Sequence, residues 1–298
     1  MHVHMHPRDF LVFVGVCFVW ALNVVASKYV VDDLGVPPLL YAVARSALVM
    51  AALLPWILPA PRPVGRLVVA VFMLGSGGFA LMFIGLETTD PSTAGIISLL
   101  SAPLTAILGI FWLGERIHWR RGTGITLAFV GVVLALWSPT GLVLTSGVLW
   151  IVLSCLIGSV GAILLKQLPE ANPLRLQAWS GLTGTFILLP LSAGLEWNAI
   201  PGGDYGWQAL GILAFSGLVV SVGAHTIYFR MLQKYEANLV APLTLMTPIF
   251  TVSLGVVLMG DGVTPLMIAG GILALLGVFV IAVRPSAKLP KAFLLRKL

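Results

Sequence analysis

Residues 39–58 read LLYAVARSALVMAALLPWIL, a run of apolar residues in which Arg45 is the single charged side chain. A helix of about 20 residues, rising 1.5 Å per residue, spans the roughly 30 Å hydrocarbon core of a membrane. A guanidinium group at that depth costs about 3 kcal/mol or more, so it normally faces protein or a water-filled cavity and has a partner. The run therefore predicts a membrane helix, and Arg45 needs a structural or functional explanation.

The rest of the chain has the same apolar character. Its 298 residues are 59% hydrophobic and only 9% charged, a composition that excludes a soluble domain of this length. We predict an all-α integral membrane protein with ten transmembrane helices. The predicted spans are Phe10–Val30, Pro38–Leu58, Leu67–Leu86, Ser92–Leu113, Gly122–Trp137, Val143–Leu165, Pro173–Leu191, Trp207–Phe229, Ala237–Met259 and Pro265–Val283.

The positive charges predict the orientation of these helices. With a cytoplasmic N-terminus, fifteen of the seventeen Lys and Arg residues fall on the cytoplasmic side, leaving Lys28 outside and Arg45 in the membrane. Short loops rich in Lys and Arg stay in the cytoplasm. We therefore expect both termini in the cytoplasm of a cell with the chain in its inner (plasma) membrane. The net charge of +6 reflects this bias, and no nucleic-acid partner is expected.

The two halves of the chain resemble each other. Paired residues occur in the same order at shifts of 135 to 146 positions: Cys17 with Cys155, Lys28 with Lys166, Pro38 with Pro173, Pro103 with Pro248, Gly114 with Gly260, Gly124 with Gly270 and Gly131 with Gly277. We predict a five-helix repeat at 1–140, a second at 141–284 and a basic cytoplasmic tail at 285–298. An odd helix number per repeat inverts the second copy, as in many secondary transporters.

Several of these residues carry a resemblance to a known family. They are Trp20, Asn23 and Lys28 in the first helix, Arg45 in the second, Pro103 in the fourth, Gly114 with Glu115 after it, and Gly124 with Gly131 in the fifth. This pattern resembles the EamA-type branch of the drug/metabolite transporter superfamily, and within it the YddG-type aromatic amino acid exporters. The resemblance implies a ten-helix exporter of amino acids or other metabolites, with a cavity lined mainly by helices 1, 3, 4, 6, 8 and 9.

Polar side chains line one face of four predicted helices. They are Trp20, Asn23 and Ser27 on helix 1, Ser98 and Ser101 on helix 4, His225 and Tyr228 on helix 8, and Thr244 and Thr247 on helix 9. Spacings of three, four and seven residues place side chains on one helical face. We predict that these residues line a common substrate cavity, with Phe79 and Phe83 adding to its aromatic wall.

Alternatives remain for these residues. Ser and Thr in a membrane helix also bond to carbonyl groups of their own helix, including those that Pro103 and Pro248 leave free. His225 is either a structural hydrogen-bonding residue or a proton-binding one. The glycine pairs Gly124 with Gly131 and Gly270 with Gly277 form small-residue seams on helices 5 and 10, and each seam predicts close packing against another helix. Arg45, Pro103 and Pro248 are candidates for gating or structural roles.

Arg45 has three possible kinds of partner. All eleven Asp and Glu residues lie in predicted loops or at helix ends, so no mid-membrane carboxylate is available to it. The partner is therefore an acid at a loop end, such as Asp32, Asp33 or Glu87, a free backbone carbonyl, or the carboxylate of a substrate. The same lack of buried acids gives no support to proton coupling.

These observations favour an alternating-access exporter of amino acids, with aromatic ones favoured, over three other functions. A drug or cation exporter is expected to use a membrane carboxylate, and a sugar-phosphate antiporter several membrane cations. A membrane enzyme is disfavoured because the sequence lacks HExxH and GxSxG motifs and paired membrane aspartates. No cofactor and no metal site are expected, and the partners are a small-molecule substrate and membrane lipid.

Overall fold

The structure is a computed structural model, and it describes residues 5–114, 119–138, 141–168, 172–198, 205–235 and 237–283. The predicted tail at 285–298 and Glu115 lie outside the described residues. The described chain is almost entirely helical. A short hairpin of β1 (Trp137–Ser138) and β2 (Gly141–Leu142) joins the two halves.

The helices follow the predicted spans closely. They are α1 (Pro7–Asp33), α2 (Pro38–Ala52), α3 (Val64–Leu86), α4 (Pro91–Leu113), α5 (Trp119–Ala135), α6 (Ser146–Lys166), α7 (Pro173–Leu195), α8 (Gly206–Tyr228, continuing to Lys234), α9 (Leu239–Met259) and α10 (Pro265–Ala282). Eight of them are long and apolar enough to cross a membrane, while α2 and α5 are shorter. The chain is therefore an all-α membrane protein, and ten crossings stay a prediction.

Proline sets the start of several helices and the end of one. Pro38, Pro173 and Pro265 occupy the first helical position, where the missing N–H has no helical partner to lose. Helix α2 ends at Ala52 rather than at the predicted Leu58. Pro55 is the physical reason, because proline cannot continue the hydrogen-bond ladder and restricts the residue before it.

Four helices contain irregular turns within their length. Gly75 interrupts α3, and turns at 99–100 and 244–245 interrupt α4 and α9. In α8 the stretch Phe215–Ala224 winds with i to i+5 hydrogen bonds, a form that often occurs at functional sites. The irregular turns of α3 and α4 thus have counterparts in α8 and α9.

Helices α5 and α10 pack backbone to backbone. A Cβ atom added at Gly124 would lie 2.8 Å from the carbonyl oxygen of Gly277, and one added at Gly131 would lie 2.6 Å from that of Gly270. Real Cβ atoms do not approach other atoms so closely, so only glycine fits at these crossings. The close packing predicted from the glycine pairs is confirmed.

The bundle has an acidic end and a basic end. The acidic end, defined by Asp32, Glu87, Asp90, Glu196 and Asp261, contains the starts of α2 and α4. The basic end, defined by Arg62, Arg66, Lys166, Arg175 and Lys234, contains the starts of α3 and α7. The two ends are those that the charge bias assigns to the outside and the cytoplasm.

Two carboxylates cross-link helices at the acidic end. The Glu196 carboxylate, after α7, accepts hydrogen bonds of 2.8 Å from the backbone N–H groups of Leu39 and Leu40 at the start of α2. Asp261, after α9, accepts hydrogen bonds from the backbone N–H and the hydroxyl of Ser92 at the start of α4. Anions at helix N-termini also gain from the helix dipole. Each acid therefore holds a helix of the second half against one of the first half.

Two further carboxyl groups at this end, those of Glu87 and Asp90, have raised pKa values. Burial raises the pKa of the Glu87 carboxyl, and the charges of Glu196 and Asp32 raise it further. Burial also raises the pKa of Asp90, although a hydrogen bond from Thr93 opposes the change.

We expect replacement of Glu196 by alanine to loosen this end. The variant leaves two N–H groups at the start of α2 without their acceptor, and loss of a helix N-cap costs about 1–2 kcal/mol. The thermal unfolding midpoint of the purified protein should fall. The matched control is Asp33→Ala, which removes an exposed acid from the same end. An equal effect of the two substitutions would contradict the cross-link.

Candidate substrate cavity

A cavity of about 630 Å³ extends from the middle of the bundle towards the basic end. Seven helices line it. The lining residues are Trp20 of α1; Arg45, Ser46 and Val49 of α2; Val71, Leu74, Gly75, Ser76 and Phe79 of α3; Ala162, Leu165 and Lys166 of α6; Leu176, Gln177, Ser180 and Gly181 of α7; Ser221, His225 and Tyr228 of α8; and Thr244 of α9. The cavity extends from the buried Arg45 to the exposed Lys166.

Arg45 lies at the deep end of the cavity, where only 6% of its surface is exposed. Its Nη2 donates a 2.7 Å hydrogen bond to the Ser221 hydroxyl, and its Nε donates a longer one of 3.4 Å to the Ser216 carbonyl oxygen. The guanidinium carbon lies 3.7 Å from the centre of the Phe79 ring. Among the described residues no carboxylate pairs with it, so α8 and an aromatic ring hold this cation.

The backbone of α8 makes this contact possible. In a regular helix the Ser216 carbonyl would accept from residue 220, but here the turns are wider by one residue. Both the Ser221 hydroxyl, at 2.8 Å, and the Arg45 side chain donate to this carbonyl oxygen. Of the two partners of Arg45, the Ser216 carbonyl is one of the three kinds that the sequence left open, whereas the Ser221 hydroxyl, which makes the shorter bond, is a kind that the sequence analysis did not include.

Aromatic side chains form one wall of the cavity. The Trp20 ring lies 5.2 Å from the rings of both His225 and Tyr228, and Phe79 lies 6.4 Å from His225, measured between centroids. Such separations are typical of favourable edge-to-face packing. His225 Nδ1 lies 2.9 Å from the Val220 carbonyl oxygen, and since a carbonyl only accepts, Nδ1 carries the proton. This bond ties His225 to the irregular turn that also holds Arg45.

Three serines form a polar chain on the opposite side. The Ser46 hydroxyl donates to that of Ser76 at 3.1 Å, Ser76 donates to the Ser180 carbonyl oxygen at 2.7 Å, and the Ser180 hydroxyl donates to the Val71 carbonyl oxygen at 3.3 Å. The chain links α2, α3 and α7 where Gly75 interrupts α3. Any side chain at Gly75 would collide with the Ser180 hydroxyl, so glycine permits this close approach.

Six of the residues predicted from the sequence line the cavity. They are Trp20, Arg45, Phe79, His225, Tyr228 and Thr244. The other predicted residues, which do not line it, are Asn23, Ser27, Phe83, Ser98, Ser101, Thr247, Pro103 and Pro248. Asn23 and Ser27 are almost fully buried, and in the described part of the chain neither the Asn23 carbonyl oxygen nor the Ser27 hydroxyl has a hydrogen-bond partner.

The remaining residues of that second group have local roles. Ser98 donates to the Gly95 carbonyl oxygen at 2.6 Å, a bond within its own helix. The Ser101 carbonyl oxygen accepts from Thr105 and from Ser159. Phe83 is fully buried against Tyr41, 4.7 Å between centroids. Pro103, Pro248 and the Thr247 hydroxyl are also buried beside the irregular turns of α4 and α9.

Sequence reasoning missed several lining residues. Ser46, Ser76, Gln177 and Ser180 lie in the cavity wall, and Gln177 and Ser180 have the same three-residue spacing that marked the other polar stripes. The resemblance implied a cavity lined by helices 1, 3, 4, 6, 8 and 9. Five of these six helices line the cavity, α2 and α7 line it as well, and α4 supplies no lining residue.

The charged residues in the described lining of the cavity are all cationic. The lining contains two cationic residues, Arg45 and Lys166, and no Asp or Glu among the residues that the structure describes. Within the same residues, no three His, Cys, Asp or Glu side chains are close enough to hold a metal ion. The cavity therefore offers a buried cation, an aromatic wall and hydroxyl groups, which suits binding of a small organic molecule.

Comparison with known proteins gives the family. The profile of the EamA-like transporter family matches residues 9–137 and again residues 145–283. The chain belongs to this family. Its members are transporters rather than enzymes, so the chain is a multi-pass membrane transporter with a small-molecule metabolite as its substrate.

Individual relatives agree with this assignment. The chain is 27% identical to a probable amino-acid metabolite efflux pump of Salmonella typhimurium, over 93% of this chain and 95% of the relative. It is 26% identical to a protein of the same description from Escherichia coli, with the same coverage. An uncharacterized transporter of Archaeoglobus fulgidus is 25% identical over 88% and 94% of the two chains. These relatives support the EamA-type assignment and its similarity to amino acid exporters.

A solved structure shares the fold. A protein crystal structure superposes with a TM-score of 0.60 at 18% identity, covering 93% of this chain and 96% of that one. At this identity the likeness concerns the fold alone.

Proposed function

We propose that the protein is an inner-membrane, alternating-access exporter of amino acids or closely related metabolites, with aromatic ones preferred. The observation that carries the proposal is the cavity in which the buried Arg45 lies beside an aromatic wall. Arg45 would bind a substrate carboxylate, and Trp20, Phe79 and Tyr228 would contact an aromatic ring. The names of the bacterial relatives, amino-acid metabolite efflux pumps, agree with this class of substrate.

The proposal includes ten transmembrane helices in two inverted repeats at 1–140 and 141–284. The two consecutive matches of one family profile support this division. So do the irregular turns at similar places in α3 and α8 and in α4 and α9. Gly114 and Gly260 support it as well, because they end α4 and α9 with similar positive φ angles of 66° and 71°. The crossing of α5 and α10 would lie on the axis between the repeats.

Transport would proceed by rocking of one repeat against the other. The cavity reaches the basic end at Lys166, which the charge bias assigns to the cytoplasm. At the acidic end, Glu196 and Asp261 hold the halves together. This arrangement corresponds to a state that loads substrate from the cytoplasm, as an exporter requires. For release, the bonds of Glu196 and Asp261 would break and the basic end would close.

Membrane lipid would surround the bundle. Large apolar side chains such as Phe111, Phe186 and Val257 are exposed on the helices, and in a membrane they would contact acyl chains. The basic tail at 285–298 would remain in the cytoplasm. Trp119 and Trp207 are exposed at helix ends, where tryptophan commonly lies at the membrane interface.

An export assay in cells tests the function. Cells producing the full chain are loaded with a phenylalanine dipeptide, which is hydrolysed inside, and free phenylalanine is measured in the medium. We expect faster export than from cells that produce Arg45→Ala at the same membrane level. Loading with an alanine dipeptide is the matched control for the aromatic preference. Equal export by both proteins would mean that Arg45 does not bind the substrate, and export no faster than from cells that lack the chain would contradict the proposed function.

A further inference from the structure

Arg45 retains unused hydrogen-bond donors. A guanidinium has five N–H groups, and the described contacts use one on Nε and one on Nη2, so three remain, two on Nη1 and one on Nη2. Nη1 and Nη2 together can bind both oxygens of one carboxylate. The residue is therefore held in place by α8 with a two-nitrogen edge still available for an anion.

The charge of Arg45 is also uncompensated. Its contacts are a hydroxyl, a carbonyl and the face of Phe79, none of which carries a net negative charge. A buried cation without an anion is costly, and the described lining of the cavity supplies no carboxylate. A substrate that enters with one net negative charge would neutralise the site.

A zwitterionic amino acid would not neutralise it. Its ammonium group is attached to the carbon next to the carboxylate, so it would lie within a few ångströms of the guanidinium when the carboxylate binds. Like charges this close repel each other, and the repulsion is stronger away from bulk water. The Phe79 ring, which could otherwise stabilise an ammonium, already has the guanidinium over it at 3.7 Å.

We propose that the preferred substrate is a monoanionic aromatic carboxylate, an amino acid derivative whose nitrogen is acylated or absent, rather than the zwitterionic amino acid. This inference rests on the proposed function and narrows its substrate class. The aromatic wall of Trp20, His225 and Tyr228 takes the ring, Arg45 takes the carboxylate, and the described lining supplies no carboxylate to pair with an ammonium.

Binding to the purified full chain in nanodiscs tests the inference without interference from passive membrane permeation. The probes share one ring and differ in charge: 3-phenylpropanoate and N-acetyl-L-phenylalanine are anions, L-phenylalanine is a zwitterion, and 2-phenylethylamine is a cation. At pH 7.5, calorimetry should give dissociation constants for the anions at least tenfold below that of L-phenylalanine. The amine should bind most weakly.

Two variants connect the preference with Arg45. Arg45→Gln removes the charge and keeps a side chain that can donate to Ser221, so the anions and L-phenylalanine should then bind within threefold of each other. Arg66→Gln removes an exposed charge from the basic end and should leave the tenfold preference intact. Size-exclusion chromatography confirms that each variant is folded before binding is measured.

The outcomes separate the inference from the proposed function. If L-phenylalanine binds as tightly as the anions or more tightly, the inference is wrong while amino acid export stands. If the amine binds most tightly, or if no probe binds, both are wrong. A preference for anions that persists in folded Arg45→Gln would also overturn the inference, because another group would then cause it.

Discussion

Replacing Arg45 by alanine should reduce transport of an aromatic substrate by at least tenfold while leaving the protein folded. In the proposed site the side chain is the sole deep cation, and removing one partner of a buried charge pair costs about 2 kcal/mol or more, equivalent to about 30-fold in affinity. Folding should be retained because the Ser221 hydroxyl still bonds to the Ser216 carbonyl oxygen in the variant. Initial transport rates at several substrate concentrations give the size of the effect.

Two further variants make this result specific. Arg45→Lys keeps the charge but cannot bind both carboxylate oxygens in one plane, so its activity should be intermediate. Arg66→Ala removes an exposed arginine from the basic end and should transport at the normal rate. If folded Arg45→Ala transports normally, Arg45 is only a clamp between α2 and α8.

Replacing Gly131 by alanine should destabilise the protein, whereas the same change at Gly158 should not. The added methyl group at Gly131 would collide with the backbone of Gly270 and Ala274 in α10. Overpacking of this kind costs about 1–3 kcal/mol. Gly158, in α6, has no atom within 4 Å of the added methyl group, and alanine is favoured over glycine in a helix by about 1 kcal/mol. The two changes should therefore shift stability in opposite directions.

Thermal unfolding of the purified variants measures both changes. The unfolding midpoint should fall for Gly131→Ala and should stay level or rise for Gly158→Ala. A similar midpoint for the two proteins would mean that α5 and α10 do not pack as closely as the structure indicates.

The sequence predicted the helices well because a membrane imposes strong constraints on composition and length. It placed the start of α2, α7 and α10 at the correct prolines, Pro38, Pro173 and Pro265. The end of α2 was wrong by six residues, because hydropathy continued to Leu58 although Pro55 had already ended the helix. Apolar composition alone does not mark where a helix stops.

The site was predicted in part. The stripes of α1 and α8 brought together Trp20, His225 and Tyr228, since histidine and tyrosine are costly to bury without polar neighbours. The polar residues of α4 do not line the cavity. The Ser98 hydroxyl donates to a carbonyl oxygen of its own helix. Helical spacing shows which residues share a face but gives no information about which neighbour that face meets.

The cavity features that the sequence did not predict have a common physical cause. Ser46, Ser76 and Ser180 appear in the sequence as isolated small residues, and their chain of hydrogen bonds depends on the break of α3 at Gly75. The partner of Arg45 likewise depends on the wide turns of α8. Both features are backbone irregularities, for which local sequence gives little signal, and they position the most polar parts of the cavity.

The measurement that tests the central claim most directly is transport by liposomes containing the purified full chain. Labelled L-phenylalanine, L-leucine, a quaternary ammonium ion and a sugar phosphate are compared, with and without a pH gradient. We predict saturable movement of phenylalanine that exceeds the others, needs no pH gradient and is lost in Arg45→Ala but not in Arg66→Ala. Movement of only the ammonium ion or the sugar phosphate would contradict the proposed substrate class, and no movement of any compound would contradict the proposed transport.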